Sequence, residues 1–151
     1  MVIDEIITYL KSKVTAENLD VGVLEAYTYG HKVKSTEIQV QIAEHSEYSR
    51  FTTFDDIEVS VCPLIINIYA TQETRTVVEN ETETTVIIPA QRASYELAHK
   101  VMGWLSSLNV AENITSALGA TSPRYLPGIP FDTGTLMYQS VVRTDLYVKK
   151  L

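Results

Sequence analysis

Apolar residues at Ile3, Ile6, Ile7, Leu10 and Val14 fall at i, i+3, i+4, i+7 and i+11, which predicts one apolar stripe on a helix of about three to four turns. Asp4 and Glu5 occupy its first turn and Lys11 and Lys13 lie near its end, the order that suits the helix dipole. The segment from Val21 to Tyr29 reads as a strand or an extended piece, and Gly30-His31-Lys32 as a turn. Ile38, Val40 and Ile42 then alternate with Gln39, Gln41 and Ala43, the pattern of a half-buried strand with one wet face.

From Ile57 to Gln72 the chain is apolar and β-branched. Pro63 lacks a ladder donor and predicts a bulge, an edge or a break there. The stretch from Leu64 to Ile66 can be apolar on both faces, as in a central strand. Residues 73–85 are polar and rich in Thr and Glu. Short β-prone pieces on either side of Glu79-Asn80-Glu81 predict a projecting hairpin. Pro89 opens a second helix, in which Leu97, Val101, Trp104, Leu105 and Leu108 form a stripe.

Beyond Asn109 the pattern is less regular. Val110 to Leu118 suits one or two helical turns or a short strand, and the Pro/Gly-rich stretch 119–134 suggests a long ordered loop or arm. Thr135 to Lys150 alternates throughout, with Leu136, Tyr138, Ser140, Val142, Thr144, Leu146 and Val148 on one face. A strand of this length often reaches beyond its own sheet. No repeat, linker or domain boundary interrupts residues 1–151. The expected fold is a single α+β domain: an antiparallel or mixed β-sheet with two main helices packed on it and a long C-terminal strand.

Composition strengthens the strand reading, since Thr, Val and Ile supply 46 of 151 residues. Charge adds something the pattern does not. The net charge is -7, which argues against a protein that grips nucleic acid by neutralising phosphates. By segment, residues 37–58 carry -5, 73–88 carry -3, 89–151 carry +2 and 1–36 carry -1. An acidic middle and a mildly basic end suit either self-complementary packing or a solvated acidic face. The acid-rich N-terminus does not resemble a secretory signal, no stretch is long enough to span a membrane, and Cys62 has no partner for a disulfide; a cytosolic site of synthesis is expected.

Candidate chemistry is sparse. The isolated glycines make no phosphate loop, and no Gly-x-Ser-x-Gly elbow occurs. Cys62, within an apolar strand, reads as a buried structural thiol. Glu96 and His99 have the spacing of a carboxylate-histidine metal helix, but that arrangement needs a second copy, so a surface pair is expected. Asp55, Asp56 and Glu58 could hold a cation or act as acid and base, although adjacent carboxylates more often form a solvated turn. No catalytic residue, cofactor or metal is assigned, and no enzyme activity is expected.

The order of these motifs carries a resemblance. An N-terminal amphipathic helix (Ile3 to Val14) precedes a strand meander whose last apolar strand is Leu64-Ile65-Ile66-Asn67-Ile68-Tyr69-Ala70. The helix containing Ala93-Ser94-Tyr95-Glu96-Leu97-Ala98-His99-Lys100-Val101 comes next, and the alternating strand Met137 to Val148 ends the chain. In this order, over nearly its whole length, the chain resembles the tail-terminator and tail-completion proteins of tailed bacteriophages and related particles. The resemblance implies a structural virion protein located in the tail, assembled in a bacterial cytoplasm as a homo-oligomeric ring, usually a hexamer. Such a ring caps the tail tube and joins it to the head connector, so its partners are further copies of itself, the tail-tube protein and the head-connector protein. DNA passes through without specific binding, and no membrane is involved. Glu79, Glu81, Glu83, Arg124, Tyr125, Val142 and Arg143 are the candidate assembly residues on this reading. The alternatives are a head-completion, connector or baseplate subunit of the same particle, or a small metal-dependent enzyme using Asp55, Asp56, Glu58 or His99.

Overall fold

The computed structural model describes residues 2–42, 50–52, 58–108, 117–132 and 136–149. The first apolar stripe becomes helix α1 (Val2–Ala16), which buries Val2, Ile3, Ile6, Tyr9, Leu10 and Val14. Asn18 ends it in a left-handed conformation, φ 53°. The amide of Asn18 donates to the Thr15 carbonyl and that of Leu19 to the Val14 carbonyl, the paired bonds of a Schellman cap. Leu19 packs on the core cluster that contains Val14, supplying the apolar contact that such a cap favours.

Strand β1 (Gly22–Glu25) is shorter than the 21–29 segment suggested, because the chain turns at Ala26 and Tyr27 takes φ 63°. It runs parallel to β2 (Glu37–Ile42), and β2 is antiparallel to β4 (Glu58–Thr71). The short β3 (Arg50–Thr52) continues along the same edge of β4. Pro63 does not break β4. The strand runs through it without interruption, and Pro63 stands opposite Asp145 of the C-terminal strand.

Two departures from expectation concern the C-terminal part. The Pro/Gly-rich stretch is not a loop: residues 117–120 and 124–132 form β7 (Ala117–Ala120) and β8 (Arg124–Asp132), both antiparallel to β9 (Leu136–Lys149). Pro127 and Pro130 are tolerated because, among the described residues, β8 pairs only with β9, and its register shifts between Leu126 and Ile129. Nor does the long strand reach beyond its sheet. From Met137 to Lys149 it pairs with β4 on one side, while β7 and β8 share its other side.

The sheet order is therefore β1-β2-β4-β9, with β7 and β8 outermost, a mixed sheet in a single α+β architecture. Helix α2 (Ala90–Ser106), opened by Pro89, packs beside α1 on the same face. The core joins their stripes to Ile38, Val40, Leu64, Ile66, Ile68, Val142 and Leu146. Each of these fully buried aliphatic side chains contributes roughly 1.5–3 kcal/mol. The Tyr9 hydroxyl donates 2.6 Å to the Trp104 carbonyl and so locks α1 to the end of α2; burial raises the pKa of this phenol.

A buried hydroxyl pair, Ser94 and Ser140 at 2.5 Å, ties α2 to β9. Ser140→Ala should cost about 1–3 kcal/mol, because it leaves the buried Ser94 hydroxyl without this partner. The Ser94→Ala/Ser140→Ala double variant should cost less than the sum of the singles, a coupling that urea denaturation of all four proteins measures.

Between β4 and α2, residues 73–88 form the expected hairpin, β5 (Glu73–Glu79) and β6 (Thr82–Ile88), which is a sheet of its own. Asn80 and Glu81 take φ 50° and 64°, the signs that a type I′ turn requires. Asn is at ease there; the cost falls on Glu81. At the base Ile88 is buried with Ala70 and Ala93, while the rest of the hairpin stays largely exposed.

Candidate assembly surface

Both helices cover one face of the sheet, so side-chain alternation leaves the odd-numbered residues of β2, β4 and β9 on the other. Three rungs cross this face, which is covered at its β2 end, where Glu37 and Tyr69 are buried, and open towards β8. Glu37, Tyr69, Gln139 and Ile129 make the first; Gln39, Asn67, Val141 and Leu126 the second; Gln41, Ile65, Arg143 and Arg124 the third. A mixture of amides and aliphatic side chains results, stitched in part by Gln139 Nε2 donating 3.4 Å to Asn67 Oδ1. At its β8 end the face is apolar and basic: Leu126 and Ile129 are 46% and 63% exposed, and Arg124 stands directly opposite Arg143. Like charges on one rung are unfavourable unless an anion lies between them. Beside them lies a groove of about 610 Å³ lined by Thr121, Arg124, Leu126, Arg143 and Asp145.

The candidate assembly residues separate on this geometry. Arg124 and Arg143 are brought together and exposed. Glu79, Glu81 and Glu83 are also exposed, clustered at the hairpin tip. Val142 does not belong with them, and Tyr125, though half-exposed, lies on the other face of the sheet. They oppose each other on the helix-covered face, where Val142 is wholly buried and Tyr125 meets Tyr95 edge-on at 5.5 Å. Strand alternation accounts for the correction: 143 points out, so 142 must point in. Leu126, Ile129, Val78 and Ile87 were missed. Their signal was an exposed apolar position on a strand, legible at 126 and 129 only once β8 is recognised as a strand.

Glu37 departs from a solvated acidic middle. It is buried, and its carboxylate lies 2.8 Å from His31 Nε2 and accepts from Gln39 Nε2 at 3.3 Å. Burial first, and the Glu37 charge second, raise the pKa of neighbouring Tyr69. Asp55 and Asp56 lie outside the described residues.

Glu96 and His99 do not form the expected surface pair. Glu96 receives Arg75 from the hairpin and Arg92 from its own helix, whereas His99 packs 4.3 Å from the Tyr95 ring. Among the described residues no group of three His, Cys, Asp or Glu side chains is placed to hold a metal ion, and no helix is long and apolar enough to cross a membrane. Cys62 is buried. No family model and no curated protein matches the chain.

The Arg75–Glu96 contact clamps the hairpin to α2 and titrates. The hydrogen bond from Arg75, followed by that from Arg92, holds the Glu96 carboxyl below its ordinary value despite partial desolvation. A depressed carboxyl stabilises fully above the unfolded value near ~4.3 and loses that contribution as pH falls through the folded value. Protection of hairpin-base amides from exchange should therefore decrease relative to the α2 core on acidification below pH ~4. Arg75→Gln should remove that step. Equal protection ratios in both proteins across the titration would exclude the clamp. The energy is modest, roughly 0.2–1 kcal/mol per pair, because both partners remain partly exposed.

Proposed function

We propose that this chain is a structural subunit of a phage tail or a related particle, assembling as a ring that caps the tail tube and joins it to the head connector. The observation that carries the reading is the division of the subunit into a helix-covered core and two separate exposed parts, an open sheet face and a projecting hairpin. A subunit with two non-equivalent surfaces of this kind is suited to head-to-tail contacts, which close into a ring when the rotation between neighbours closes. The order of elements, with α1 first, the hairpin between β4 and α2, and β9 last, supports the resemblance to tail-terminator proteins. Its acidic balance suits a lumen through which DNA moves without being held.

Electron microscopy of the purified chain mixed with tail tubes from the same particle provides the test. The expected result is a ring seated on one end of each tube. Bare tube ends at saturating subunit, together with a strictly monomeric chain, would overturn the proposal.

A further inference from the structure

The exposed parts of the molecule match one another in both charge and polarity. Register places Val78 opposite Glu83 and Thr74 opposite Ile87, so one hairpin face presents Val78, Ile87 and Glu83 together. Val78 is 66% and Ile87 62% exposed. Glu81 adds a carboxylate at the turn, whereas Glu79, paired with Thr82, lies on the opposite face of the hairpin. The open sheet face offers the counterpart: Leu126 and Ile129 as apolar contacts and the opposed Arg124 and Arg143 as a paired cation. Asp145 also lines this groove, and its Oδ1 is buried without a hydrogen bond. The patch still carries two guanidiniums against one carboxylate.

We infer that the β5–β6 hairpin of one copy docks on the β8–β9 face of the next, with Glu81 and Glu83 neutralising Arg124 and Arg143 while Val78 and Ile87 cover Leu126 and Ile129. The inference rests on the ring reading only for its closure; the pairwise contact stands on this complementarity. A carboxylate placed between the two arginines removes their mutual repulsion, and a guanidinium can bind a carboxylate through two parallel hydrogen bonds. Because donor and acceptor surfaces differ, each copy uses both, and the contact is heterologous.

Reversing charge on each side separately gives a decisive experiment. One variant carries Arg124→Glu and Arg143→Glu; the other carries Glu81→Lys and Glu83→Lys. Each is followed by sedimentation over a concentration series, with circular dichroism to check that the fold is kept. Alone, each variant should associate at least about a hundredfold more weakly than the natural chain, since like charges then meet at every contact. Mixed in equal amounts, they should recover assembly, because acidic hairpins meet natural arginines and lysine hairpins meet the new glutamates. Natural-level association of either variant alone, or no recovery on mixing, would overturn the docking while leaving a ring by other contacts possible. Association that follows the charge pattern but gives open chains or dimers would uphold the docking and count against the ring. A natural chain that stays monomeric throughout the series would overturn the docking itself.

Discussion

A Val142→Pro chain is expected to yield no folded protein. Val142 lies midway along β9, opposite Ile66 on one side and Tyr125 on the other, so the residue has a strand on both flanks. Proline removes a backbone donor from this ladder, and its ring has no open edge to occupy, the circumstance in which prolines are not found within sheets. The side chain is lost as well: Val142 is completely buried in the cluster that joins both helices to the sheet. Val142→Ala separates these causes. It should retain the fold and cost roughly 1.5–3 kcal/mol, the value of one buried valine. Circular dichroism and urea denaturation of the pair give the readout. A cooperatively folded Val142→Pro protein would show that β9 is not held between its two neighbours.

Gly128→Ala should be the second most damaging change. A methyl group built on Gly128 would lie 1.3 Å from the backbone oxygen of Gln139 and 2.9 Å from the Cα of Ser140. The obstruction is backbone, which cannot swing aside as a side-chain end can. Glycine is present because β8 approaches β9 closely where its register shifts, and the Tyr138 hydroxyl also donates 2.8 Å to the Gly128 carbonyl. Alanine should peel β8 from β9 locally, at a cost of about 1–3 kcal/mol or more. Hydrogen exchange should show lost protection from Arg124 to Ile129, with α1 and β2 unaffected. Wild-type protection along β8 would mean that the backbones do not meet there.

Both predictions concern the part of the fold that was hardest to read. The helices were legible because a stripe of apolar residues at helical spacing fits no strand or turn, and β2 and β4 because alternation and β-branching agree. β8 was hidden by Pro127, Gly128 and Pro130, residues that ordinarily mark loops. An edge strand accepts prolines that a central strand rejects, and edge position depends on partners distant in the chain. The C-cap at Asn18 was equally silent, since an asparagine in αL resembles any polar residue after a helix. For the assembly surface, the acidic hairpin tip stood out as a cluster of Glu in one short segment. The arginine pair did not, because residues 124 and 143 meet only through the β8–β9 register. Register also explains why Val142 does not share the surface of its neighbour Arg143: one position along a strand exchanges the outside for the core.

The hairpin forms a sheet separate from the one that carries the core, joined at its base through Ile88 and the Arg75–Glu96 contact. Substitutions beyond the first rungs therefore have little leverage on folding free energy. Selection acting on what the tip touches can then proceed almost independently of selection for stability. Across related chains, residues 76–85 should be the part that diverges fastest, with a compensating change expected at 124 and 143.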